Sequence, residues 1–387
     1  MFFCIRNRIQ YVSFALKHIL VQLTTKYINR YFAQSNSVVH VIFCQKNCIV
    51  MKKYNFILFF ILFLASLVSV GCNNTDKKDE PVVDSKYHNP VIALSLPDPT
   101  IIKAQDGFFY LYATEDTRNV PIYKSEDLID WIFVKTAFTE DTRPSFESNG
   151  GIWAPDINYI NGKYCLYYSM SVWGGEWTCG IGVAVSDKPE GPFVDKGKLF
   201  RSNEIDVQNS IDQFYIEDQE KKYLIWGSFR GIYGIELSDD GLSIKSGAEK
   251  KQIAGTAFEG TYIHKRGEYY YLFASIGSCC EGINSTYQLV VGRSKSLFGP
   301  YFDKSGKDMM ENGYTVVIAP NSRFVGNGHC SEIVQDKSGK DWLFYHGVDV
   351  QNPKGRVLLL DEIKWSGDNW PYVSGGSPSL SASKPVF

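Results

Sequence analysis

The chain has 387 residues, a formal net charge of -2, and 15% aromatic residues. The near-neutral balance offers no basic surface for nucleic acid, and the length allows one large domain or two ordinary ones. Abundant Tyr, Phe and Trp suit both β-strands and a neutral ligand with apolar faces, so composition alone does not choose between structure and binding.

Residues 1–50 carry no Asp or Glu and show neither a sustained period nor a turn grammar. They are read as an upstream extension outside the mature protein. At Met51 the pattern changes to Lys52 and Lys53, an apolar stretch from Phe56 to Val70, and then Gly71-Cys72. This is the layout of a secretory signal peptide over 51–71. The stretch is shorter than the roughly 20 residues of a membrane span. Ser69-Val70-Gly71-Cys72 resembles a bacterial lipobox, which implies lipidation of Cys72 and a cell-envelope lipoprotein, with residues 72–87 as a polar tether. The working domain is then 88–387.

Five cysteines fall in that body: Cys165, Cys179, Cys279, Cys280 and Cys330. An odd count without a CxxC pair argues against zinc or a disulfide framework. The adjacent Cys279 and Cys280 are either a vicinal disulfide or two thiols.

One aromatic strand recurs five times, as Asp106–Thr114, Asn161–Ser169, Glu220–Ser228, Arg266–Ser275 and Ser338–His346. The copies lie about 50 to 70 residues apart, the length of one four-stranded propeller blade. A second element follows the first four copies, in Lys124–Trp131, Val185–Phe193, Leu237–Leu242 and Arg293–Tyr301. Each sets a Ser before a tight turn, the chemistry of an antiparallel hairpin. No stretch of the mature chain holds an i, i+3, i+4, i+7 apolar pattern over three turns, so helix should be scarce. The predicted fold is an all-β, five-bladed β-propeller in a single domain, with a β-sandwich or double barrel as the competing architecture.

Before each aromatic strand lies a short segment expected to be the innermost strand of its blade. These are Leu96–Ile102, Trp153–Tyr159, Ser210–Ile216, Phe258–Ile263 and Gly328–Ile333, and they carry Asp98, Asp156, Asp212, Glu259 and His329. Equivalent positions of a radial repeat converge near its axis, so these groups should meet in one funnel. Clustered, desolvated carboxyls spread their pKa values apart. Glycosidic hydrolysis uses such a spread, one group giving a proton to the leaving oxygen and another activating water. Taken singly, Asp98 between two prolines is equally a turn residue and Glu259 a surface strand residue. Asp156 is expected to serve structure or substrate contact, and His329 to be a core histidine or a cation partner.

Together, Pro97-Asp98-Pro99, Trp153-Ala154-Pro155-Asp156, Ile211-Asp212, Phe258-Glu259-Gly260 and Gly328-His329 resemble glycoside hydrolase family 43 over about His88 to Gly376. The resemblance implies an inverting hydrolase with Asp98 as general base, Asp212 as the carboxylate that tunes the acid, and Glu259 as general acid. Ser278–Tyr287, Val291–Ser294 and the closing segment from Gly355 are similar to endo-acting α-1,5-L-arabinanases. That similarity implies arabinan as substrate and a central calcium held through His329, largely by waters. Gln213 and Gly260-Thr261 depart from the usual pattern and are expected to touch the subsites. Trp153, Phe214, Trp173 and Trp177 are the aromatics expected to line the substrate groove, with Asp156 as a further contact. The residues after Gly375 are too few for an added domain, and a single open propeller face suits a polymer lying across a groove; the protein is expected to be a monomer. The rival readings are an exo-acting arabinofuranosidase or xylosidase of the same family and a non-catalytic sugar-binding propeller.

Overall fold

The computed structural model describes residues 85–387. The expected signal peptide, Cys72 and nearly all of the tether lie outside the described residues.

Among the described residues five antiparallel sheets form blades, four of them plain four-stranded and in chain order, and a sixth, two-stranded sheet joins the two ends. The first blade runs Thr100–Lys103, Phe109–Tyr112, Pro121–Ser125 and Trp131–Thr136 from inside to outside. The next three start at Gly151–Ile160, Phe214–Asp218 and Glu259–Arg266. In the fifth, the strands Phe324–Gly328, Asp341–Asp349 and Val357–Trp365 come from the end of the chain. Its outer strand is Ile92–Ser95, from the beginning, paired to Leu358 and Val357. The fold is thus a five-bladed propeller whose ring is closed by pairing the two ends of the domain.

The aromatic repeat supplies the second strand of every blade. Phe109–Tyr112 and Asp341–Asp349 are buried at every residue. Blades packed face to face cover both sides of that strand, so its sequence is continuously apolar and not alternating. The outer strand Trp131–Thr136 is largely exposed and loses that pattern. Tyr hydroxyls on the second strands tie each blade to the next: Tyr112 donates to the Pro189 carbonyl, and Tyr167 to that of Gly241 at 2.8 Å. The Ser residues of the second element do cap the expected turns. Ser125 accepts from Leu128 N, Ser186 from Lys188 N and Ser294 from Ser296 N, each at 3.0–3.1 Å. Regular helix is confined to Ser202–Ile205 among the described residues, apart from three short 3-10 turns.

Lys86 and Tyr87, placed in the tether by the sequence, belong to the closure. Lys86–His88 pairs with Ser381–Ser383. The buried Asn89 follows, donating to the Leu360 carbonyl at 2.9 Å while accepting from Leu360 N at 3.0 Å. A side-chain amide satisfying both groups of one peptide substitutes for a strand pair where the ladder ends.

Candidate active site

Every innermost strand contains the same irregularity. In blade two Trp153 pairs with Ser169 and Asp156 with Tyr167, so three steps on one strand match two on the other. Blade four repeats this with Glu259 opposite Ser275 and Tyr262 opposite Phe273. The carbonyls of Pro97 and Ile211 accept from Thr114 N and Gly227 N in the same way, and Gly328 pairs with His346. The extra residue is a β-bulge, and its first member has a left-handed backbone in all five blades. These are Asp98 (φ 52), Ala154 (φ 42), Asp212 (φ 58), Gly260 (φ 57) and His329 (φ 48). Four of the five are not glycine, so each strains the backbone by about 1 kcal/mol or more, as is found at functional sites.

This register corrects the expectation that all five polar residues share one position. Asp98, Asp212 and His329 do share it. Glu259 stands one residue earlier, level with Pro97, Trp153, Ile211 and Gly328. Asp156 stands two residues later, level with Thr100 and Phe214. Asp156 consequently lies below the cluster, with Oδ2 accepting from Tyr215 N at 2.7 Å and from Asn158 Nδ2 at 2.9 Å. Burial and the neighbouring Glu332 push its carboxyl well above the usual range. It is a structural acid and does not line the cleft.

A cleft of about 350 Å³, within the range of ligand pockets, opens over the bulges. Asp98, Asp212, Glu259 and His329 all line it, together with Trp153 and Trp173. The indoles of Trp153 and Trp173 sit 5.7 Å apart, and Trp173 is 82% exposed on the rim. Phe214 and Trp177 are not part of the lining. Phe214 is buried edge-on against Tyr262 with ring centroids 5.0 Å apart, because its position falls below the bulge. Trp177 is half-exposed outside the cleft. Gln213 is also drawn inward, its Oε1 accepting from Ser169 Oγ at 2.7 Å, so it does not shape a subsite. Gly260 does not line the cleft either but lets His329 approach closely: a Cβ there would meet His329 Nδ1 at 2.9 Å. Cys279 and Cys280 are joined as a vicinal disulfide and contribute to the cleft wall.

The charges of the cluster are sorted by their neighbours. Burial alone would raise Asp98, but Arg356 and His329 override it and hold the carboxyl well below its ordinary value. Arg356 Nη1 donates to Asp98 Oδ1 at 2.9 Å, Thr114 Oγ1 donates to Oδ2 at 2.6 Å, and His329 Nδ1 lies 3.2 Å from Oδ1. His346 Nδ1 is also 3.2 Å from Oδ1, yet this is no ion pair. That nitrogen accepts from Asp98 N at 3.1 Å, and burial and Arg356 push the imidazole down to about 4, so the ring is neutral. His329 shows the opposite behaviour: burial works against its charge, but Asp98, Asp212 and Glu259 raise it to about 9. Burial lifts Asp212 to about 6, helped by Asp98 and opposed by His329. Glu259 is lifted to about 7 by burial and then by Asp212. At neutral pH one carboxylate is firmly ionised and another is poised to hold its proton.

Arg356, Thr114, His346 and Ser228 were not singled out from the sequence. Three of them end the aromatic repeats, whose last residues are Thr114, Ser169, Ser228, Ser275 and His346. That shared polar end was the available signal.

For calcium, the donor set is thin. A hard cation takes six to eight oxygen ligands. Among the described residues no group of three or more His, Cys, Asp or Glu could hold a metal ion. The Nδ1 of His329 is turned to Asp98. These residues do not build a protein cage for a hard cation.

Comparison with known proteins identifies the family. The family model "Glycosyl hydrolases family 43" matches residues 87–371. The chain is 37% identical over 306 residues to the extracellular exo-α-(1→5)-L-arabinofuranosidase ArbA of Cellvibrio japonicus, covering 71% of this chain and 85% of that protein. It is 36% identical over 291 residues to the extracellular endo-α-(1→5)-L-arabinanase 1 of Bacillus subtilis, covering 71% and 87%. Among solved structures, the Cellvibrio cellulosa α-L-arabinanase complexed with arabinohexaose matches with a TM-score of 0.67 and 33% identity, over 72% of this chain and 95% of that one. With the family model matched across the whole propeller and five bulges presenting a carboxyl cluster at its mouth, the chain belongs to glycoside hydrolase family 43.

Proposed function

We propose that this protein hydrolyses α-1,5-linked L-arabinan by an inverting mechanism and cuts within the polymer. The observation that carries the reading is the opposed ionisation of Asp98 and Glu259 on one cleft. In this reading the Asp98 carboxylate takes a proton from a water that attacks the anomeric carbon. Glu259 gives its proton to the departing glycosidic oxygen. Asp212 raises the acid by its charge and, through Oδ2, accepts from Gly260 N at 3.2 Å, the residue next to the acid. Trp153 and Trp173 offer apolar faces for sugar rings.

One named relative is exo-acting and another endo-acting at nearly equal identity, so likeness does not decide the mode. The endo reading rests on the cleft, whose lining extends beyond the carboxyls to Trp153, Trp173, Cys279 and Cys280 and so leaves room for more than one sugar. Digestion of linear arabinan tests it: mixed oligosaccharides released early support endo cleavage, while arabinose alone establishes the exo alternative. A merely sugar-binding propeller would release neither.

Both relatives are extracellular, which supports export of this chain, and the Cys72 anchor and monomeric state belong to the same proposal. Calcium belongs to it in the water-held form, taking over from the proton on His329 as the positive charge beside Asp98. Dialysis against a chelator and calcium add-back, followed by thermal melting, checks that binding, with His329→Ala expected to abolish the response.

A pH profile gives a sharper test. Glu259 acts only when protonated, so kcat/KM should be full below about 7 and fall as pH rises through that value. Asp212→Asn keeps an acceptor for Gly260 N but removes the charge that lifts Glu259. The alkaline limb should therefore move down by about one unit. An unmoved limb would remove the tuning role of Asp212.

A further inference from the structure

The five bulges are linked in a ring by hydrogen bonds between blades, and that ring has one break. In four blades the backbone N–H of the left-handed residue is taken by the side chain ending the second strand of the preceding blade. Ala154 N donates to Thr114 Oγ1 at 2.7 Å, Asp212 N to Ser169 Oγ at 2.9 Å, His329 N to Ser275 Oγ at 2.8 Å and Asp98 N to His346 Nδ1 at 3.1 Å. The fifth case should join Gly260 N to the end of the aromatic strand in blade three. That slot is Gly227, at φ 135, where a Cβ would lie 2.2 Å from the Gly231 carbonyl oxygen. Only glycine fits, so the slot has no side chain to give. Gly260 N turns to Asp212 Oδ2 instead, and the hydroxyl that serves the ring elsewhere arrives one residue late, as Ser228.

Ser228 Oγ is buried and donates to Glu259 Oε2 at 2.6 Å. Asn209 supports the direction of that bond by filling one acceptor site of the hydroxyl. Its Nδ2 lies 3.1 Å from the Ser228 carbonyl oxygen and 2.9 Å from Ser228 Oγ. A carbonyl only accepts, so nitrogen and not oxygen must face it. The same nitrogen then donates to Oγ, leaving the Ser228 hydrogen for the carboxyl. Glu259 Oε2 is thereby an acceptor in both ionisation states, and the exchangeable proton belongs on Oε1.

We propose that Asn209 and Ser228 are positioning residues that place the acid proton of Glu259 on Oε1 alone. This rests on Glu259 being the general acid. In the step, the Oε1–H bond breaks as that proton bonds to the leaving glycosidic oxygen, the C–O bond electrons stay with that oxygen, and Oε2 keeps the bond from Ser228. The hydroxyl also steadies the carboxylate that results. Glu259 faces Asp212 and His329 as its other charged neighbours and Tyr287 as a second hydrogen-bond partner, and none of them is changed in the variants below.

The test compares two substrates that differ in their need for a proton. Linear arabinan departs as a sugar alkoxide and needs the acid, while an aryl arabinotrioside releases a nitrophenolate that does not. Ser228→Ala should lower kcat on arabinan about 10- to 100-fold, the value of a hydrogen bond to a charged group, with KM nearly unchanged. On the aryl substrate the loss should be under about threefold. Its alkaline limb should move to higher pH, since the donated bond favours the ionised form. Ser228→Thr should restore arabinan hydrolysis. Asn209→Gly, which suits the φ of 56 at that position, should show the same split in smaller measure by freeing the hydroxyl to rotate. Equal losses on both substrates, or full activity of Ser228→Ala on arabinan, would overturn the proposal. Glu259→Gln is the control. If that variant shows the split between substrates and Ser228→Ala does not, the positioning role fails while the acid stands. If Glu259→Gln keeps its activity on arabinan, the acid assignment itself has failed.

Discussion

Glu259→Gln should lower kcat on linear arabinan about a thousandfold while leaving the melting temperature close to that of the parent. The amide fills the same volume and its oxygen still accepts from Ser228 Oγ, so the fold loses nothing that the burial of Glu259 provides. What disappears is the only proton placed for the leaving oxygen. Asp98→Asn should cost activity on the same scale for the opposite reason, because an amide does not take a proton from water. It should differ in stability. Arg356 and His329 keep their positive charges beside a neutral group, and removing one member of a buried charge pair typically costs about 3 kcal/mol. Kinetics and thermal melts of the two variants side by side check both statements. Retained turnover in either would refute its assigned role.

The second large effect concerns the scaffold under the cleft. Glu115→Ala should destabilise the propeller by about 3–5 kcal/mol, read from urea unfolding. Glu115 and Arg143 form a paired, bidentate salt bridge with side chains only 8% and 10% exposed. Glu115 also accepts from Ile152 N and Asn119 N, both at 2.8 Å, while Arg143 donates to the Gly150 carbonyl at 2.8 Å. The carboxylate thus holds the entry of blade two, one residue before Trp153, against blade one. Truncating it strands a buried guanidinium and two backbone N–H groups at once. Lys295→Ala, which breaks the solvent-exposed pair with Glu268, should leave stability unchanged and serves as the comparison. A small effect of Glu115→Ala would mean that water readily replaces the lost partner.

The aromatic strands were legible in the sequence because burial on both faces forces an unbroken run of large side chains, and five such runs have no other simple explanation. The Ser of each hairpin was legible for an equally local reason, since its hydroxyl accepts from an amide two or three residues ahead. Asp98, Asp212 and His329 were correctly grouped. Glu259 and Asp156 were brought to the same phase by counting from the strand starts, which a bulge makes unreliable: one inserted residue shifts everything beyond it. Phe214 and Trp177 were misplaced for that reason or for want of loop geometry, whereas Trp153 and Trp173 do line the cleft.

By itself, the sequence determined the number of blades and their order, because repeated burial and turn chemistry are written within a few neighbouring residues, while the choice of three carboxyls rested on the family resemblance. Only the tertiary structure decided how those carboxyls are ionised. Arg356 and His346 reach Asp98 from the far end of the chain, and Ile92–Ser95 closes the ring over the same distance. No local pattern encodes such a pairing. The charge on a buried carboxyl is set by whatever the fold brings within a few ångströms, and here that was settled by how five bulges meet around one axis.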